Sequence, residues 1–220
     1  MLKRAGVVAA ALFLFTSLGL SQDNGHYDAS ISGAGVFTKG SDGNGIAQSA
    51  TIGSNYFGTF RFRFTPKHSL AVNYGRAKNS QIYQTGFDFH VLNTISEFSA
   101  AYVYNPIKKG KFEPFVLAGG GVLRFSPSST WEVLPDFVLD VPNRLQVNLN
   151  AAKQSEIAFL YGGGVDYRLP YRFALRLQYR GLLYDAPDFK LSAASGSSVS
   201  FFTGSKGHMA EPSIGLVFRF

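Results

Sequence analysis

The chain has 220 residues and a formal net charge of +7; it is 45% hydrophobic, 15% aromatic and only 16% charged. That length suits a single domain, and the absence of cysteine excludes a disulfide framework, a thiolate zinc site and a cysteine nucleophile. The basic excess is spread along strand-like segments rather than gathered into a patch or motif, so nucleic acid is not an expected partner.

The first element is an export signal. Lys3 and Arg4 form a positive start, Ala5 to Phe15 an apolar run, and Gly19 and Ser21 place small residues before Gln22. Residues 1–21 therefore read as a signal peptide and 22–220 as one barrel domain. The stretch Ala5 to Leu20 is shorter than the ~20 residues of a spanning helix. No later apolar run is long enough either, so only a closed barrel could cross a bilayer.

From Gln22 onward the dominant period is two, which predicts strands throughout. Tyr27, Ala29, Ile31 and Phe37 oppose Asp28, Ser30, Ser32 and Thr38. Phe60, Phe62 and Phe64 oppose Thr59, Arg61 and Arg63. Leu70 to Arg76 follows, then Phe87 to Tyr104, whose apolar positions change from odd (Phe87, Phe89, Val91) to even (Phe98, Ala100, Tyr102, Tyr104). A bulge at Asn93 to Glu97 accounts for the change; an irregular loop is the alternative. Phe115 to Phe125 is the fifth strand. Ile157, Phe159, Tyr161, Val165 and Tyr167 oppose Glu156, Asp166 and Arg168. Phe173, Leu175, Leu177 and Tyr179 oppose Arg172, Arg176, Gln178 and Arg180. Ser213 to Phe220 is the eighth.

The connections alternate in length. Thr65 to Ser69, Asn105 to Gly110 and Leu169 to Tyr171 are short, and each holds a proline, which a paired central strand does not accept. Lys39 to Ser54, Lys78 to Gly86, Ser126 to Gln154 and Asp185 to Pro212 are long. Short periplasmic turns and long extracellular loops are the pattern of outer-membrane barrels. The predicted fold is all-β, a closed antiparallel up-and-down transmembrane barrel of about eight strands, with both termini periplasmic. Ser126 to Gln154 is too apolar for a tether; it extends the flanking strands or lies across the mouth. Lys190 to Gly207, rich in Ser and Gly, reads as a mobile tip.

Periodicity alone leaves inside and outside undecided. A periplasmic lipocalin-like carrier of an apolar ligand would turn the Phe-rich face inward; a membrane barrel turns it to lipid. Side-chain bulk favours the second, because a small barrel has room only for filling side chains and Gly33, Gly35, Gly119, Gly121, Gly162 and Gly164 lower the bulk of the other face. Tyr102, Tyr104, Tyr167, Tyr179 and Tyr184 fit aromatic girdles, and equally the general β-propensity of aromatic residues. Ile214, Leu216, Phe218 and Phe220 alternate with Ser213, Gly215, Val217 and Arg219, and the chain stops on Phe220. This is similar to the carboxy-terminal insertion signal of outer-membrane barrels, which implies recognition by the barrel-assembly machinery.

The run from Tyr161 through Gly162, Gly163, Gly164, Asp166 and Arg168 to Leu169, Pro170 and Tyr171, then Phe173 to Arg180, resembles the penultimate hairpin of the small outer-membrane barrels. That family includes the membrane domain of outer-membrane protein A. Gln178 stands where relatives carry a lumen Glu, and no peptidoglycan-binding domain follows Phe220. The resemblance thus implies one internal ion pair fewer and no cell-wall anchor.

With the apolar face outward, the expected lumen network is Arg61, Arg63, Glu156, Asp166, Arg168, Arg172, Arg176, Gln178, Arg180 and Arg219, with cations outnumbering acids. Buried charges must be paired or hydrated, so a salt-bridged plug is expected; a narrow anion-preferring pore is the sharper alternative, since rings of Arg select anions. No enzyme is expected: His26, His68, His90 and His208 have no carboxylate at a telling spacing, and no G-x-S-x-G elbow exists. No catalytic, cofactor or metal site is predicted; the glycine runs at 119–121 and 162–164 precede no helix. The expected role is a monomeric integral outer-membrane protein, structural or surface-interacting, with lipid around it and residues 126–154 and 185–212 as contact regions.

Overall fold

A computed structural model describes residues 26–43, 46–84, 88–107, 109–128, 130–133, 146–188, 190–193, 198–200 and 204–220. The export signal, the start of the domain at Gln22 and the apolar centre of the 126–154 segment lie outside the described residues. Every described element is a strand. Eight of them close on themselves in the order β1 (Tyr27–Lys39), β4 (Gly53–Arg63), β5 (His68–Gln84), β6 (Asp88–Tyr104), β7 (Phe112–Pro127), β10 (Gln154–Arg168), β11 (Phe173–Asp185) and β14 (Lys206–Arg219), with β14 back against β1. All eight pairings are antiparallel. At the seam the N–H of Tyr27 donates to the carbonyl of Phe220 (3.1 Å) and the N–H of Phe220 to that of Tyr27 (3.0 Å).

The alternation in sequence becomes an alternation across the wall. Ile31, Tyr56, Phe98, Ile157, Leu177, Ile214 and Leu216 are exposed on the outside, whereas Asp28, Arg61, Arg176 and Arg180 are buried inside. The carrier alternative is thereby overturned, because the large hydrocarbon side chains face out and the guanidiniums in. Tyr102, Tyr104, Tyr167 and Tyr179 lie on the outside, at least partly exposed. Tyr184 does not; it is buried within the barrel, its ring 5.5 Å from that of Phe125. Around the turn end, Tyr27, Phe60, Phe62 and Phe220 contact one another, and Phe64, His68 and Tyr102 form a second aromatic group.

Two expectations about β5 and β6 fail for one reason. Its register against β5 runs unbroken from Gln84 opposite Asp88 to His68 opposite Tyr104, and against β7 from Asn93 opposite Pro127 to Tyr104 opposite Val116. There is no bulge at Asn93 to Glu97, and Lys78 to Gln84 is strand rather than loop. The apolar phase changes because the interior itself changes: Val91 and Ile95 are buried among apolar neighbours towards the loop end, while Phe98 and Tyr102 face out nearer the turns. Beyond the lipid-facing part of the wall, outward residues such as Lys78 and Ser80 are polar, so the period-two signal fades while the hydrogen-bond ladder continues.

The other long connections also contain strands. β2 (Ser41–Gly43) pairs with β3 (Ile46–Ala50), which joins the edge of β5. β8 (Thr130–Val133), β9 (Gln146–Ala151), β12 (Lys190–Ala193) and β13 (Ser198–Ser200) form a separate four-stranded antiparallel sheet in the order β13-β12-β9-β8. Residues 126–154 and 185–212 are thus joined through the β9–β12 pairing, and the Ser-rich tip expected to be mobile is in part a hairpin, with Lys190 opposite Ser200.

A charge on the lipid face should weaken the barrel without disturbing its interior. Phe98→Arg is expected to cost about 2–4 kcal/mol if the site lies near the bilayer midplane, read from urea unfolding in phospholipid vesicles; an unchanged midpoint would place Phe98 outside the hydrocarbon.

Candidate functional site: the charged barrel interior

The inward residues of β11 give the layers in order from the turn end: Ala174, Arg176, Gln178, Arg180, Leu182 and Tyr184, all buried. Each long side chain is met by a small or complementary partner on the neighbouring strands. Arg176 stands opposite Asp166 on β10 and Gly215 on β14; Arg180 stands opposite Gly162 and Glu211. A Cβ on Gly162 would lie 3.1 Å from the Cα of Arg180, and one on Gly215 would lie 2.9 Å from the Cβ of Ser32. Glycine at these two positions lets the strands approach where arginines fill the middle.

The layer nearest the turns joins three carboxylates to five guanidiniums. Arg176 donates to both oxygens of Asp166 (Nε to Oδ1 2.7 Å, Nη2 to Oδ2 2.9 Å), from Nη1 to Ser30 Oγ (3.2 Å) and from Nη2 to Asp28 Oδ1 (3.5 Å). Asp28 lies directly between Arg61 on β4 and Arg219 on β14 in the ladder. It accepts from Arg63 Nη2 at 3.1 Å. Arg61 makes longer ion pairs, 3.9 Å to Asp28 and 3.7 Å to Asp166. Glu113 pairs with Arg219 (2.8 Å), Arg63 (3.9 Å) and Arg168. The ring of Phe115 lies under two of these cations, 4.8 Å from Arg61 Cζ and 5.3 Å from Arg176 Cζ, a contact that is worth more when desolvated.

The next charged layer inverts the ratio, with one guanidinium between two carboxylates. Arg180 donates to Glu97 (Nη1 to Oε1 3.1 Å, Nη2 to Oε2 2.7 Å) and to Glu211 Oε2 (from Nε 3.1 Å, and from Nη2), with its Cζ 3.9 Å from the Phe57 ring centroid. Asn55 Nδ2 donates to Glu211 Oε1 (2.7 Å) and Ser99 Oγ to Glu97 Oε1 (2.6 Å). Asn73 donates to Ser99 (3.0 Å) and accepts from Thr59 (2.8 Å). Satisfying the remaining lone pairs in this way is what a buried ion cluster requires. Beyond it, Val36, Ile95, Leu123, Phe125, Leu160, Leu182 and Met209 form an apolar layer, followed by a Gln48 to Gln81 hydrogen bond of 2.6 Å.

The expected lumen residues divide accordingly. Arg61, Asp166, Arg176 and Arg180 are fully enclosed; Arg63 and Arg219 are largely so; Gln178 is buried, its carbonyl accepting from Ser213 Oγ (3.1 Å). Arg168 reaches Glu113 from an exposed position at the end of β10. Glu156 is only partly buried near the loop end of β10, away from the arginines, and Arg172 is exposed on the turn, outside the lumen. The partners that alternation does not reveal are acids: Glu97 lies in the stretch expected to bulge, Glu211 in an expected loop and Glu113 just before a predicted strand, while Asp28 lies on the polar face of the first strand, outside the expected network. With Asp28, Glu97, Glu113, Asp166 and Glu211 buried, the expected surplus of cations shrinks to near balance among the described residues. The cue available was parity: each acid occupies an inward position once its strand is extended.

Three histidines have these neighbours: His26 Nδ1 lies 3.2 Å from the Arg63 carbonyl oxygen, His68 contacts the Tyr102 hydroxyl, and His208 Nε2 lies 2.9 Å from the Tyr161 hydroxyl. His90 lies on β6 opposite Ile82. Among the described residues no group of three His, Asp or Glu side chains is placed to hold a metal ion.

An antiparallel eight-stranded barrel with lipid-compatible walls and an ion-paired interior is the architecture of the small outer-membrane barrels, and this chain has that fold. A major outer membrane protein from Thermus thermophilus superposes with a TM-score of 0.58 at 14% identity, covering 88% of this chain and 99% of that one. The outer membrane protein OprG from Pseudomonas aeruginosa gives 0.56 at 15% identity over 90% and 98%, and Neisserial surface protein A 0.55 at 14% over 89% and 97%. No family model and no curated protein sequence matches the chain.

Removing Arg180 strands two buried carboxylates. Arg180→Met is expected to lower stability by about 3–5 kcal/mol, and the triple replacement Arg180→Met, Glu97→Gln, Glu211→Gln to recover most of that loss. Urea titration of the folded barrel in vesicles measures both; equal losses in the single and triple variants would show that shape, not charge compensation, dominates the site.

Proposed function

We propose that the chain is a closed, non-conducting and non-enzymatic barrel of the outer membrane, whose interior fixes the wall and whose loop-end strands make its external contacts. The filled interior carries this reading. Arg61, Arg176 and Arg180 expose 1%, 1% and 0% of their surface, and the apolar layer beyond them lies across the route a solute would take. An anion pore needs guanidiniums that face water, whereas these are held by carboxylates and aromatic rings.

The short turns define one end of the barrel and the long connections the other, and by the usual arrangement the turn end, with the first and last strands' outer ends, lies in the periplasm. The sheet of β8, β9, β12 and β13 then stands outside the cell as a contact surface, and the barrel works as a monomer. Ile214, Leu216 and Phe218 on the outward face of β14, with Phe220 just after it, form the segment offered to the barrel-assembly machinery.

Single-channel recording on the reconstituted protein tests the closed interior. No conductance steps are expected in planar bilayers, and none should emerge at high voltage; reproducible anion-selective steps would reject the proposal in favour of a pore.

A further inference from the structure

The short turns share a chemistry that neither the interior nor the loop-end sheet uses. Residues 64–67, 105–111 and 169–172 contain Lys67, Lys108, Lys109, Lys111 and Arg172 and no Asp or Glu. Lys67, Lys109, Lys111 and Arg172 are exposed, as is Arg168 beside them. Among the described residues the side-chain carboxylates nearest this end, Asp28, Glu113 and Asp166, are buried and already bound to interior guanidiniums. The connections at the opposite end have the reverse balance: residues 40–52, 85–87, 128–153 and 186–205 hold Asp42, Glu132, Asp136, Asp140 and Asp188 against Arg144, Lys153 and Lys190. The positive excess therefore belongs to one rim.

Those cations are interleaved with outward apolar tips. Ile107 is 61% and Tyr171 97% exposed, and Tyr171 has φ = 65°, a left-handed conformation that a bulky residue adopts at a cost. Just behind the turns, Tyr27, Phe62, Phe64, Phe112 and Phe173 face outward as an aromatic belt. Such belts sit at headgroup depth, so the ammonium and guanidinium groups lie at the level of lipid phosphates, with their aliphatic stems along the hydrocarbon boundary.

We propose that the turn rim is a docking surface for the headgroups of anionic phospholipids in the leaflet it touches. The inference rests on the reading of the barrel as membrane-spanning. Each cation attracts phosphate within a Debye length of about 8–10 Å, and several on one rim act on the same patch of leaflet. A hydrated anionic polymer would satisfy the charges but leave Ile107 and Tyr171 in water, whereas a lipid surface accepts both kinds of side chain.

The test is lipid retention. The purified barrel is placed in nanodiscs of equal phosphatidylglycerol and phosphatidylcholine, and the lipids it keeps on release are counted by native mass spectrometry. Phosphatidylglycerol is expected to be enriched about fivefold or more over phosphatidylcholine. The Lys67→Gln, Lys109→Gln, Lys111→Gln, Arg172→Gln variant should fall to the bulk ratio, Lys109→Gln with Lys111→Gln alone should lower the enrichment part-way, and Lys153→Gln with Lys190→Gln should leave it unchanged. Equal retention of both lipids by the wild type, or undiminished enrichment in the folded double or quadruple variant, overturns the inference. So does capture of a soluble anionic glycan without any lipid preference, which would point to a polymer partner. A chain that never enters the nanodisc overturns the membrane reading as well, and is recognised by the absence of a heat-modifiable folded band on gels.

Discussion

The hydrogen-bond ladder between β1 and β14 is the constraint on which the rest depends. In hydrocarbon an unpaired backbone N–H or carbonyl has no water to turn to, so a sheet crossing a bilayer must have no free edge. Pairing of Asp28 with Arg219 and of Gly33 with Ile214 closes the cylinder. Closure then dictates everything inside it: with eight strands the lumen is only as wide as the side chains that fill it, so every inward residue has to find its partner across a fixed and short distance.

That confinement explains why the charges sort into layers. Near the turns five guanidiniums surround three carboxylates, with Arg168 at the rim still partly in water; four residues further along β11 a single guanidinium lies between two carboxylates. Each layer is unbalanced alone, and the two imbalances oppose each other. Buried ion pairs of this kind add little net stability compared with hydrocarbon packing, but breaking one leaves an uncompensated charge. The arrangement thus fixes one register and one closure more than it deepens the energy minimum. The apolar layer of Val36, Leu123, Phe125, Leu160 and Leu182 completes the filling towards the loop end, where stabilisation comes from packing instead.

How much of this was legible varied with the strand. Where one face is apolar and the other charged, as in Phe173 to Arg180, the alternation marks both faces, and Arg176 and Arg180 lie on the inward one, whereas Arg172, one residue before the strand, does not. Where both faces are polar, as in Lys78 to Gln81, the same backbone ladder leaves no pattern to read, and the segment is strand where the composition predicts a loop. Glu97 and Glu211 lie on the inward parity of their strands, but the segments around them carry no clean alternation, so local pattern does not reveal them. Tyr184 fits an outer girdle by residue type alone, because an aromatic residue suits either side of the wall; its packing against Phe125 puts it in the interior.

Local patterning suffices for the class of fold: period-two alternation, proline-marked short turns and the lack of any apolar run long enough for a spanning helix point to a barrel. Tertiary structure alone decided which carboxylate meets which guanidinium, where the interior passes from ionic to apolar, and that the two longest connections pair with each other through β9 and β12. The physical reason is that alternation is a local property of one strand, whereas ion pairing and closure depend on register between strands that lie far apart in the chain, as Arg180 and Glu97 do.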